Sequence, residues 1–268
     1  MLKFLAMARK RRKRKQKSEE KQIETRQTET AVLPIASILF PLFLGVVAVA
    51  VTNGWGTAAF NTRAIALPFF AAIGISSWFL GMRWFGLGGL GLRGGRPLFA
   101  GIGFAVLGWV ALFIVRIVTV RIASLESGFR EFAFFLLFEG FAVQLWIFGL
   151  VFRAISNWRG PLTAAAASGV LFSTTAFLFF QEPSQSDLSS LVYFLVWGLF
   201  YGIIRLRTGS FIGVAIVQAI QSFTVWVALT PLEVIEPSQL RTLHWITAVL
   251  FAIFIWRLWP KQEEDYRV

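Results

Sequence analysis

The chain contains no cysteine. Disulfides, thiolate nucleophiles and Cys-ligated zinc or iron–sulfur centres are therefore excluded. It contains one histidine, His244. A zinc site built on two histidines, or a serine–histidine site with a second working histidine, cannot form within one chain. Charge is scarce too: Asp, Glu, Lys and Arg make up 15% of the 268 residues, against about 25% in an average soluble domain. No metal or cofactor is expected from what remains.

Apolar residues dominate instead, at 56% of the chain, with a mean hydropathy of +0.67. They come in blocks of about 20, the length that crosses a bilayer core of roughly 30 Å as a helix. The blocks are continuous rather than alternating, which argues against a transmembrane β-barrel. Twenty-nine Phe and eleven Trp suit lipid-facing surfaces and interfacial belts. The expected fold is all-α: a polytopic membrane protein with about eight transmembrane helices. They lie near 32–52, 64–85, 98–120, 132–155, 162–180, 188–204, 210–229 and 240–259. Three regions follow: a basic tail over 1–30, a membrane domain over 31–260 and a polar tail over 261–268.

The net charge of +12 is concentrated at the N-terminus, where residues 9–17 read R-K-R-R-K-R-K-Q-K. This reads as a disordered tail that fixes topology by the positive-inside effect, with anionic lipid as its nearest partner. Nucleic acid is not expected. With that tail inside, the inner loops hold Arg83, Arg93, Arg96, Arg159, Arg205 and Arg207, with Arg153 at a helix end, and no acid. The outer loops hold Arg63, Arg121, Arg130 and Arg241, together with Glu126, Glu131, Glu182, Asp187, Glu233 and Glu236. Both termini are therefore expected in the cytoplasm. The membrane is a cell inner (plasma) membrane or a thylakoid or plastid-type membrane.

The inner loop 86–97, G-L-G-G-L-G-L-R-G-G-R-P, contains G-x-G-x-x-G. A dinucleotide site needs that spacing between a strand and a helix. Here it lies between two membrane helices and reads as a connector. Charges within the apolar segments point to function by default. Arg116 and Glu139 sit at similar depth on consecutive segments, which suggests an intramembrane ion pair. Snorkelling, or a general-base role for Glu139, are the other readings. Gln144, Ser168, Ser173, Thr174, Thr175, Gln218, Gln221 and Ser222 can each join helices by hydrogen bonds of roughly 1 kcal/mol. His244 matches no motif and reads as a packing or interfacial residue.

The spacing of these polar residues carries more than any one of them. V-Q-L-W-I-F-G (143–149) is followed by W-R-G-P (158–161), F-S-T-T-A (172–176), R-L-R-T-G-S (205–210) and Q-A-I-Q-S (218–222). This frame resembles the CPBP family of intramembrane proteases, which includes the CAAX prenyl endopeptidases. Their motifs are E-E-x-x-F-R-G, a G-P turn, F-x-x-x-H, an R-x-R-T-G-S-like turn and H-x-x-x-N or H-x-x-x-D. The match covers residues 143–222, and R-L-R-T-G-S is its most specific part.

The resemblance implies a CPBP-like bundle without its chemistry. The family's two glutamates, which activate water, fall at Val143 and Gln144. Its arginine falls at Phe148, its histidines at Ala176 and Gln218, and its Asn or Asp at Ser222. Valine cannot accept a proton, and loss of a positioned base removes about 10²–10⁴-fold in rate. The expected protein is a pseudoprotease that binds or scaffolds other membrane proteins or lipidated chains. Gln144, Thr175, Gln218 and Ser222 would line a polar cavity. An active endopeptidase with a rearranged site around Glu139 is the alternative. It shifts the first motif by four residues and leaves both histidines absent. A small-molecule transporter is a further alternative.

Overall fold

The structure, a computed structural model, describes residues 31–52, 62–120, 122–124, 128–180, 187–231 and 235–267. The basic tail expected over 1–30 lies outside them, as do Arg121, Glu126, Glu182, Glu233 and the side chain of Arg63. Each apolar segment forms a helix, the one regular structure that satisfies its backbone without water. The long helices are α1 (Ala31–Thr52), α2 (Thr62–Trp84), α4 (Arg96–Thr119), α5 (Phe129–Arg159), α6 (Pro161–Phe179), α7 (Leu188–Thr208) and α9 (Pro237–Leu258). A short helix α3 (Gly86–Leu90) follows α2. The chain is thus an all-α polytopic membrane protein, with seven helices among the described residues long and apolar enough to cross a membrane. The remaining helix, α8 (Ile212–Ala228), measures only about 25 Å at 1.5 Å per residue.

α7 and α9 run parallel, joined near their first turns by Asp187 and Arg241 and beyond their last by Arg207 and Asp265, so the bundle has two ends. One carries the 205–210 turn and is here termed the turn end. The other carries two short antiparallel strands, β1 (Ile122–Ser124) and β2 (Thr230–Pro231). Arg83, Arg93, Arg96, Arg153, Arg159, Arg205, Arg207 and Arg257 all belong to the turn end. Asp187, Glu131 and Glu236 belong to the opposite one.

Local residues set the helix boundaries. α5 and α6 are broken only by Gly160, whose φ of 92° ends one helix while Pro161 opens the next. Asp187 caps α7 by accepting the Ser190 N–H at 3.1 Å and the Ser189 hydroxyl at 2.6 Å. Its other carboxylate oxygen pairs with Arg241 of α9 at 3.2 Å. These donors, led by the Ser189 hydroxyl, hold the Asp187 carboxyl well below the usual carboxylate range.

The core is built on α5 and α7, which are 72% and 67% buried in their most apolar stretches. The other long helices reach 22–44%, so they form the lipid-facing ring. α6 and α7 meet backbone to backbone. A Cβ at Gly198 would collide with the Gly169 carbonyl oxygen and the Ser173 hydroxyl, and one at Gly202 with the Ala165 carbonyl. This is the close approach that small residues four apart permit in membranes. α8 packs against α4, α5 and α7.

α5 departs from regular α geometry. Phe135–Ala142 and Leu145–Val151 are π-helical, as is the end of α8 at Thr224–Ala228. Gly140, in the first wide segment, lets the Ala215 carbonyl of α8 approach; a Cβ there would lie 2.6 Å from that oxygen.

Candidate functional site

Val143 and Gln144 join the two π segments of α5, and Leu145–Gly149 lie in the second. Val143 and Phe148 are fully buried, as is Ala176 on α6. The Phe148 ring packs 5.8 Å from Phe172 and 6.5 Å from Tyr201. Phe172 in turn meets Trp197 and Tyr201, both at 5.4 Å. An aromatic cluster therefore fills the space around Phe148. Among the described residues, no group of three or more His, Cys, Asp or Glu side chains could hold a metal ion.

The polar candidates divide into three kinds. Thr174 and Thr175 donate to carbonyls four residues back on their own helix, at 3.1 and 2.9 Å. Ser173 does the same at 2.7 Å, and its oxygen also lies 3.4 Å from the Leu195 carbonyl of α7. Gln218 and Ser222 bond to each other, the amide Nε2 donating to the hydroxyl at 3.2 Å. Gln144, wholly buried, has neither amide atom hydrogen-bonded, and Ser168 Oγ and Gln218 Oε1 are likewise unpaired.

Gln221 belongs to a different arrangement, which joins three helices. Its Nε2 donates to the Tyr193 hydroxyl at 3.3 Å, and its Oε1 accepts from Tyr201 at 3.4 Å, both on α7. The His244 ring of α9 stacks on Tyr193, with centroids 4.9 Å apart and planes 14° apart. Tyr193, Gln221 and His244 border a small cleft of about 40 Å³ between α4, α7, α8 and α9, at the half of the bundle away from the turn. Arg116, Trp197, Ser222 and Trp226 also line it. His244 Nδ1 and Trp197 Nε1 are buried there without hydrogen-bond partners.

Of the four residues expected to line a cavity, Ser222 borders this cleft. The sequence signal of this arrangement is the lone histidine in an apolar helix, His244; Tyr193 carries none. Arg116 also lies at the cleft and donates to the Val225 carbonyl at 3.3 Å. Glu139 is buried in the first π segment. α8 packs against both α4 and that segment.

The R-L-R-T-G-S turn is a structural lock. Arg205 Nε donates to the Phe148 carbonyl at 2.9 Å, and Ser210 Oγ to the Arg93 carbonyl at 3.0 Å. The loop expected as a connector is thereby fastened, with Leu90 fully buried. The polar tail folds onto the same turn: Arg207 pairs with Asp265 at 2.9 Å, and the Arg267 N–H donates to the Leu206 carbonyl at 2.9 Å. Backbone N–H groups of Lys261 and Gln262, with Arg207, hold the Asp265 carboxyl below its ordinary range. Compared with known protein families, curated proteins and solved structures, the chain matches none.

Proposed function

We propose that this chain is a CPBP-like pseudoprotease that holds other membrane-embedded or lipidated chains without cleaving them. The observation that carries this reading is the burial of Val143, Phe148 and Ala176. Aromatic rings surround Phe148, where the resembled family keeps an arginine, and apolar side chains stand where it keeps a glutamate and a histidine. Neither a proton acceptor nor an oxyanion donor stands at those positions. What remains polar is the cleft beside Gln221, Ser222 and His244. A hydrogen-bonding group on a partner's membrane segment would be received there, since exposed polar groups have no better partner in lipid. The arginines gathered at the turn end favour that end, with both termini, in the cytoplasm of a plasma or thylakoid-type membrane.

The active-protease alternative has one observation in its favour. Glu139 is a buried carboxyl within a π-helical segment, and such segments often accompany functional sites. The test uses the purified protein in nanodiscs with prenylated and transmembrane reporter peptides. Binding without hydrolysis, unchanged in Glu139→Gln, supports the pseudoprotease. Turnover that disappears in Glu139→Gln establishes the alternative. Photocrosslinking from position 222 in native membranes identifies the partner; recovery of lipid alone counts against a held chain.

A further inference from the structure

Arg205 is fully buried at the turn end of α7. Its Nε reaches the Phe148 carbonyl at 2.9 Å and its Nη2 the Leu90 carbonyl at 3.5 Å. The guanidinium also lies over the Phe152 ring, 4.7 Å from the centroid. Two carbonyl dipoles and a ring face supply partial negative charge, but no whole one. Nη1 of the same guanidinium has no partner.

Two further arginines converge on it. Arg153 follows Phe152 in α5, and its buried Nε also has no partner. Arg93 rises from the glycine-rich loop, its Nε bonded to the Gly88 carbonyl at 3.2 Å. The Arg205 guanidinium lies against Gly91, two residues before Arg93, and over the ring of Phe152, next to Arg153. The nearby carboxylate of the tail, Asp265, is engaged by Arg207 and by the N–H groups of Lys261 and Gln262. Buried charge without an opposite charge is strongly unfavourable. Three guanidinium groups with open N–H bonds fit an oxyanion with several acceptor oxygens, above all a phosphate. Arg93 and Arg153 are half-buried and open the cluster to the surface. It also lies where the helices end, at the depth of lipid headgroups.

We propose that Arg93, Arg153 and Arg205 form a binding site for a phosphate group, supplied by the headgroup of an anionic phospholipid. The proposal does not depend on the pseudoprotease reading, because it uses no residue of the family frame's catalytic positions except the Phe148 carbonyl. Thermal unfolding of the full chain tests it, in nanodiscs of phosphatidylcholine alone and with phosphatidylglycerol added. A parallel arm titrates inorganic phosphate in the phosphatidylcholine discs. Arg153→Gln removes a cluster member that sits at the surface. Lys261→Gln removes an equal charge at the same end outside the cluster.

Phosphatidylglycerol should raise the melting temperature of the wild type and of Lys261→Gln, and Arg153→Gln should lose most of that rise. A rise with inorganic phosphate alone, equally sensitive to Arg153→Gln, supports the phosphate site and overturns the lipid as its source. The same rise in all three proteins, or none in the wild type, overturns the site.

Discussion

The imidazole of His244 lies face to face with the phenol of Tyr193, 4.9 Å between centroids and 14° from parallel. Through the Tyr193 hydroxyl, α9 is tied to Gln221 of α8, and through Gln221 to Tyr201. Gln221→Leu deletes two hydrogen bonds at once and should destabilise the bundle by about 1–2 kcal/mol. His244→Ala should weaken the same joint. Because the residues share partners, the double variant should deviate from additivity by roughly 0.5 kcal/mol or more. Unfolding in detergent micelles, analysed as a double-mutant cycle, measures this; strict additivity would show that the stack and the hydrogen bonds act separately.

Gly198→Val should be among the most damaging single changes. Its side chain would enter the space of the Gly169 carbonyl and the Ser173 hydroxyl. Neither helix can yield without breaking the contact along the whole seam. Overpacking of this kind destabilises by about 1–3 kcal/mol. Loss of a monodisperse peak in size-exclusion chromatography, against a normal peak for Gly103→Ala, is the expected readout. Nothing lies near a Cβ at Gly103.

The Asp187 cap gives stability a pH dependence of known sign. Its folded carboxyl titrates below its usual range, whose unfolded reference is about 3.9. The contribution is therefore complete above about pH 4 to 5 and is lost as pH falls through the depressed folded value. Asp187→Ala should lower stability by roughly 1 kcal/mol near neutral pH. It should also flatten the decline of melting temperature on acidification below pH 4. A parallel decline in both proteins would assign the acid sensitivity to other carboxyls.

Gln144→Leu should raise the melting temperature. Both amide atoms are buried and unbonded, and an unsatisfied buried polar group costs about 1–3 kcal/mol. A fall in melting temperature would show that a bound partner or water engages the amide in the membrane.

Much of the architecture was legible because bilayer thickness acts directly on sequence. Of the eight apolar segments, seven became helices long enough to cross a membrane and one became the shorter α8, with ends marked by Gly160–Pro161, Asp187 and Gly209. Neighbour relations were not legible. α4 and α5 are consecutive, yet α8 packs on both, because any apolar face can meet any other. The π segments were hidden as well. They change the angle between successive side chains, so a spacing of four no longer keeps one face around Val143 to Phe148. The glycine seam did leave a signal, in Ala165, Gly169 and Ser173 opposite Gly198 and Gly202. The cleft needed side chains from four helices, and only Ser222 of its lining was anticipated.

Release of the tail is a local test of the turn. Asp265 holds Arg207 and two backbone N–H groups, all at the surface. An exposed pair contributes little to global stability. Asp265→Asn should therefore leave the melting temperature nearly unchanged while speeding protease cleavage after Lys261. Equal cleavage rates would mean that the Arg267–Leu206 backbone bond alone secures the segment.

The seam between α6 and α7 also has a mechanical consequence. With backbone pressed on backbone and no side chain to serve as padding, the pair cannot slide or twist apart by small steps. It must travel as a single stiff lever. If the cleft widens to admit a partner, the hinge therefore falls on the far side of α7, where α8 and α9 meet it through rings and amides that can rotate.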